Sequence, residues 1–371
     1  MNGNSSSDSA TAWTKKLIEK TLPTLSKSGS TVMAALEQDN LSYQHLSKMI
    51  NRDPVLAFAV TVAANSSMKE GSEGCKTLEH AISIIGVERL KQITEKMRIE
   101  KSDVKEVGHF YYTRVISSSL LAAEIAQTLA ERKKPYMAND VYWSTLFSGA
   151  PLWYLWRYAT PEMRLIRYAI RSNFKLPTIA EKEVLGTTID EISQGIITQL
   201  RPGHLVTDLL KAEKQLTAKE WVLLSHHFDD NGHPKRIYDV HLNLKINDPT
   251  FVITLSNKIA SHAAHDWYSR SLLRYQKIMA VWLGIPLSEA ITLTHESAVK
   301  VSHQHPFPGI MLPAAKLLLP PRPRIKAHAS GIQQPAELKK SYDEKTQSKP
   351  VATPKPVDVA DTAATSRGNP Q

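Results

Sequence analysis

The 371-residue sequence predicts an all-α fold. Three observations lead there. From Trp13 to about Val301, apolar residues recur at i, i+3, i+4 spacing, with few of the alternating β-branched runs that strands require. Asp-Pro pairs and Ser/Thr residues stand just ahead of these stretches, where helix N-termini favour them. Finally, "DPVLAFAVTVAANSS" at 53–67 carries no charge after Asp53, and a helix apolar on all sides is one that other helices surround.

The elements follow in order. Residues 1–12, rich in Ser and Asn, are expected to form a disordered leader. Ser42 caps "YQHLSKMI", whose Leu46, Met49 and Ile50 share a face. Asp53 is the natural N-cap of the apolar helix, and Pro54 fits its first turn because no N–H is needed there. Thr77 caps "LEHAISIIG", with Leu78, Ala81, Ile82 and Ile85 as its buried stripe and Gly86 as its stop. "VERLKQITEKM" continues the pattern through Val87, Leu90 and Ile93. A long Ala/Leu-rich helix, "TRVISSSLLAAEIAQTLAERK", comes next, then an aromatic helical segment, "ANDVYWSTLFSGAPLWYLWRY". Asp248-Pro249 opens another helix, followed by "RYQKIMAVWLG" and "SEAITLTHESAVKVS". The expected organisation is a helical domain over 13–240, an extension of the same bundle over 241–312, and a Pro/Lys-rich disordered tail over 313–371.

Composition removes several classes of function. Hydrophobic residues at 42% and charged ones at 22% are ordinary for a globular protein. One cysteine, Cys75, rules out an internal disulfide framework and a Cys-rich zinc site. The N-terminus has no apolar h-region, and no run approaches about 18 uncharged apolar residues, so a soluble, cytoplasmic chain is expected. Of the net charge of +10, half lies beyond residue 312, where ten Lys/Arg face five Asp/Glu. The remainder is spread thinly, which points away from a nucleic-acid surface.

The order "LPTLSKSGSTVMAAL", "RDPVLAFAVTVAANSS", "AISIIGVERLKQI" resembles the HDOD family, the HD-related output domain of bacteria. Asp53, Pro54, Asn65, Ser66 and Gly86 fall on that pattern. The resemblance implies a helical bundle with the 54–66 helix at its centre, and an output or scaffold role in signal transduction. Asn65 and Ser66 would then end their helix through side chain-to-backbone hydrogen bonds. A helix-turn-helix at "NRDP" is discounted, because "VLAFAV" offers no side chain able to reach base edges.

Relatives of this family bind metal through dispersed histidines and a His-Asp pair, which activate water on a divalent ion. The counterpart here is "TLFSGAPL" at 145–152, with Ser148 and Gly149 where that pair would stand. Remnant ligand or pocket residues are sought instead in "LSHHFDDNGHPKR" at His226, His227, Asp229 and Asp230, beside His233. A literal His265-Asp266 also occurs, with His262 one turn earlier, but in the reverse chain order. "LTHESAVKV" lacks the second histidine of a zinc protease, and no phosphate-binding loop or nucleophile elbow is present. No catalytic residue, metal or cofactor is assigned.

The expectation is a non-catalytic scaffold acting on other signalling proteins. Most of Tyr142, Trp143, Phe147, Trp153, Tyr154, Trp156 and Tyr158 are expected to pack in the core, and one or two left exposed would form an anchor. The Pro-rich tail serves as a peptide contact or a plain spacer. Two alternatives stay open. One is a degenerate metal phosphohydrolase or nucleotide-binding relative using the 226–230 residues. The other is salt-sensitive nucleic-acid association through the basic tail.

Overall fold

The computed structural model describes residues 3–25, 28–37, 42–69, 72, 74–99 and 106–321. Among these the fold is all-α, with two isolated bridges, Thr24–Ile99 and Phe228–Pro234, and no strand. The helices are α1 (Gly3–Ile18), α2 (Ser28–Leu36), α3 (Tyr43–Ile50), α4 (Pro54–Ser66), α5 (Leu78–Lys96) and α6 (Val107–Lys133). They continue with α7 (Ala138–Ser148), α8 (Ala150–Tyr158), α9 (Thr160–Ser172), α10 (Pro177–Leu185), α11 (Ile189–Leu200) and α12 (His204–Asp208). The last five are α13 (Ala218–Ser225), α14 (Val240–Asn247), α15 (Pro249–Ala263), α16 (Arg270–Leu283) and α17 (Leu287–Gln304). No single described helix is long and apolar enough to cross a membrane.

The caps form where the sequence places them. Ser42, Thr77 and Asp248 accept backbone N–H groups from His45, His80 and Thr250. Asp53 accepts two, from Val55 at 3.0 Å and Leu56 at 3.1 Å. Gly86 does more than end a helix. Its φ of 71° and ψ of 171° break α5 into two segments, a backbone shape essentially reserved for glycine. Val87, expected on the buried face, comes out of that kink exposed, while Leu90 is fully buried.

Two apolar cores share α6. Tyr112, Ile116, Leu120 and Ala123 belong to the first core, with Leu17, Ile50, Leu56, Leu90 and Trp153. Leu121, Ile125 and Leu129 lie on another face of the same helix and belong to the second, with Phe251, Ile253, Leu272 and Trp282. Because the second core also takes Val141 and Leu224, packing crosses residue 240 rather than pausing there. Polar ties hold the later helices to α6. Buried Glu124 pairs with Lys300 of α17 at 2.6 Å, and Lys133 donates to the Trp282 carbonyl in the last turn of α16.

Three expectations need correction. The leader is not disordered over residues 3–12: those residues are the first turns of α1. Its buried stripe, Ala10, Thr14 and Leu17 with the half-buried Trp13, has helical spacing but mostly small or polar members, so composition hides it. Trp13 donates to the Leu185 carbonyl at 3.1 Å, and Gly195 lets α11 approach so closely that an added Cβ would lie 2.3 Å from the Thr14 hydroxyl. The aromatic segment is two helices broken at Gly149, and it supplies no exposed anchor. Trp153 is fully buried and Phe147, Tyr154 and Trp156 nearly so. Phe58 meets Phe147 and Trp153 edge-on, with centroids 5.4 and 5.8 Å away. Lastly, the start of the expected tail is packed. Trp267 and Tyr268 donate to the carbonyls of Pro313 and Leu317, and Ala314–Leu318 forms a 3₁₀ turn. The rest of the tail, 322–371, lies outside the described residues.

Gly86→Ala should lower stability by about 1–3 kcal/mol through backbone strain alone, since nothing lies within 4 Å of the added methyl. The check is a urea titration, with a reduced midpoint and unchanged slope expected.

Candidate functional site

Asn65 and Ser66, two of the family-motif residues, use their side chains in different ways. Ser66 donates to the Ala63 carbonyl at 2.8 Å, a local helix-ending bond. Asn65 instead reaches across the fold. Its amide N–H donates to the Arg201 carbonyl at 2.9 Å, and its carbonyl oxygen accepts the Cys75 N–H at 2.8 Å. One side chain thus ties together the end of α4, the loop before α5 and the turn after α11. Arg201 holds a left-handed φ of 45°, and Gly74 (φ 77°) lets the loop pass so close that a Cβ there would lie 3.1 Å from Asn65 Oδ1. The "RPG" at 201–203 signals a turn in the sequence, but nothing there names Asn65 as its partner.

Ser148 and Gly149, read from the sequence as the counterpart of the His-Asp pair, are both engaged in packing and hydrogen bonding. Ser148 accepts from Asn257 at 2.9 Å and donates to the Thr145 carbonyl at 2.7 Å. Gly149 presses against α6, where an added Cβ would sit 2.1 Å from Ser119 Oγ. That hydroxyl is itself engaged, accepting from the Trp153 indole at 3.1 Å and donating to the Val115 carbonyl at 3.0 Å. A serine hydroxyl already bonded on both sides and a glycine offer no imidazole or carboxylate, so the residues present do not suit the metal of the HD enzymes.

The 224–236 segment is a tight hairpin. His227 Nε2 lies 3.1 Å from the Arg236 carbonyl, and Asp229 Oδ1 accepts the N–H groups of Asn231 and His233 at 3.0 and 2.7 Å. The bond from the His233 amide is the chief reason the Asp229 carboxyl stays below its usual range. His226 is exposed as the C-cap of α13, and Asp230 is exposed at the tip of the turn. His227 and Asp229 brace the loop between them. Among the described residues, no group of three or more His, Cys, Asp or Glu side chains could hold a metal ion.

His265 and Asp266 stand elsewhere, on a cleft the sequence did not reveal. The cleft has a volume of about 250 Å³ and is lined by Phe110, Arg114, His265, Tyr268, Met311 and Lys316, among others. Arg114 and Lys316 both donate to the Ala264 carbonyl, at 2.7 and 2.8 Å. His262 lies apart, stacked on Tyr275 with centroids 5.3 Å away. No periodicity could announce this cleft, because its members come from three distant stretches of chain.

Residues 22–201 match the family model of the HDOD domain. Residues 22–201 are an HDOD domain, running from the segment before α2 to Arg201. Solved structures agree on the fold. The MmoQ response regulator of Methylococcus capsulatus is 17% identical, covering 73% of this chain and 98% of its own, with a TM-score of 0.50. A virulence factor of Campylobacter jejuni is 13% identical over 79% of this chain and 96% of its own, with a TM-score of 0.52. No curated protein matches the sequence.

Two predictions follow from the Asn65 tie. Asn65→Ala should cost about 2–4 kcal/mol, since it strands one N–H and one carbonyl, measurable by chemical denaturation. The Cys75 thiol is pushed up from 9.0 to about 11 by burial. At pH 8, alkylation of the folded protein by iodoacetamide should therefore run roughly 100-fold slower than that of a free thiol. Unfolding should restore the ordinary rate.

Proposed function

We propose that this protein is a non-catalytic signalling scaffold whose output is the binding of other proteins. The observation that carries the reading is the junction at Gly149. Gly149, read from the sequence as part of the counterpart of the metal-binding pair, is packed against Ser119, while His227 bonds to the Arg236 carbonyl across the hairpin and His226 ends α13. The helices on either side of that hairpin support a binding role. Val222 and Leu223 of α13, Val240 and Leu244 of α14, and Tyr238 between them are all about half exposed or more, Tyr238 to 82%. A contiguous exposed apolar patch marks a contact surface, and these five side chains are the candidates for one here. Likeness to a response regulator supports a place in signal transduction, and family membership supports an output role.

Two measurements test this. Mn²⁺ titrated into the full chain with a phosphodiester such as bis(p-nitrophenyl) phosphate should give no turnover above the blank. Turnover that disappears in a His226→Ala/His227→Ala variant would sink the proposal. A photo-crosslinking residue placed at Tyr238 in cells should yield discrete adducts with other proteins, and the same residue at Asp230 fewer.

A further inference from the structure

The cleft beside His265 has no part in the scaffold reading and was not foreseen from the sequence. Its walls are of two kinds. On one side stand cations: Arg114 from α6 and Lys316 from the 3₁₀ turn, both bonded to the Ala264 carbonyl at the end of α15. His265 sits with them, its Nδ1 2.8 Å from the Ser261 carbonyl. Burial, chiefly, and then the charges of Arg114, Arg171 and Arg167 hold its imidazole below the usual range, although the Ser261 contact acts in the opposite direction. Positive charge from α9 therefore reaches this point as well.

On the other side stand apolar and aromatic groups, Phe110, Met311 and Tyr268. Tyr268 is 55% exposed, yet it is fixed at both ends. Its N–H donates to Asp266 Oδ1 at 2.9 Å, and its hydroxyl donates to the Leu317 carbonyl at 3.2 Å. An aromatic face held rigid in water loses little freedom when something stacks on it. Among the described residues lining the cleft, Asp266 is the one carboxylate, and it already accepts that N–H.

We propose that this cleft binds a small organic anion in which a phosphate or carboxylate is joined to a flat ring. The anionic group meets Arg114 and Lys316, and the ring lies against Tyr268 and Met311. The volume of about 250 Å³, below the roughly 300 Å³ of most ligand pockets, limits the ligand to one ring system with a single anionic group. A mixed lining of this kind, mostly apolar with a few convergent polar groups, fixes both orientation and charge. Inorganic phosphate would use only half of it.

Calorimetric titration of the full chain with inorganic phosphate, AMP and indole-3-acetate tests the assignment. At least one of the two ring-bearing anions should bind one-to-one with Kd below about 1 mM, and inorganic phosphate at least about tenfold more weakly. Preference for AMP identifies the phosphate form of the ligand, and preference for indole-3-acetate the carboxylate form. Tyr268→Ala and Lys316→Gln should each weaken binding about fivefold or more, with thermal melting showing both variants folded. The assignment fails if neither ring-bearing anion binds in this range, or if binding survives both substitutions unchanged. Neither outcome touches the scaffold reading, which stands or falls on the 226–244 region.

Discussion

A helix with no polar face must be wrapped on every side, and most of this architecture follows from that demand by α4. Val55, Leu56, Ala57, Val60 and Ala64 are wholly out of water, and Phe58 nearly so. Each large member contributes about 1.5–3 kcal/mol by burial. In return, the polar needs of the helix are confined to its two ends. Asp53, 1% exposed, spends its carboxylate on the first free N–H groups. Asn65 spends its amide on groups brought from residues 75 and 201. Buried polar atoms demand partners, so the far end of α4 dictates where two loops must lie.

What could be read in the sequence was local. Ser42, Asp53, Thr77 and Asp248 announce their helices because a cap and its targets lie within three residues of each other. Gly86 announced a stop for the same reason, although the φ/ψ it adopts is a kink rather than a left-handed cap. The Asn65 tie was not legible, since one of its partners is 136 residues away and is a backbone carbonyl without a signature. Helix α1 was hidden by composition: a stripe built on Ala, Thr, Trp and Leu in a Ser-rich stretch reads as polar. The aromatic segment misled in the other direction. Its side chains are numerous enough to suggest a surface anchor, but two cores and the break at Gly149 give nearly all of them neighbours. The exposed aromatics, among them Tyr43, Tyr136, Phe174, Tyr238 and Tyr268, lie outside that segment and leave no pattern in the sequence.

The two histidine-bearing regions divide by geometry rather than by residue type. His226, His227, Asp229 and Asp230 look like ligands in one dimension, yet His227 and Asp229 bond to the backbone of their own loop, and His226 and Asp230 stand exposed. His265, set aside on chain order, faces a cleft beside cations and a fixed tyrosine. Chemistry suited to a ligand is thus assembled by the packing of α6 against α15 and the 3₁₀ turn, not by any run of sequence.

The double duty of α6 bears on where this protein can be cut. The family domain ends at Arg201, but the face of α6 that carries Leu121, Ile125 and Leu129 is covered by residues drawn largely from 205–298. A fragment trimmed to the family boundary would keep every motif residue and still leave half of its longest helix bare to water. The unit of descent and the unit of folding are therefore different lengths of chain, and the shorter one is not expected to be soluble alone.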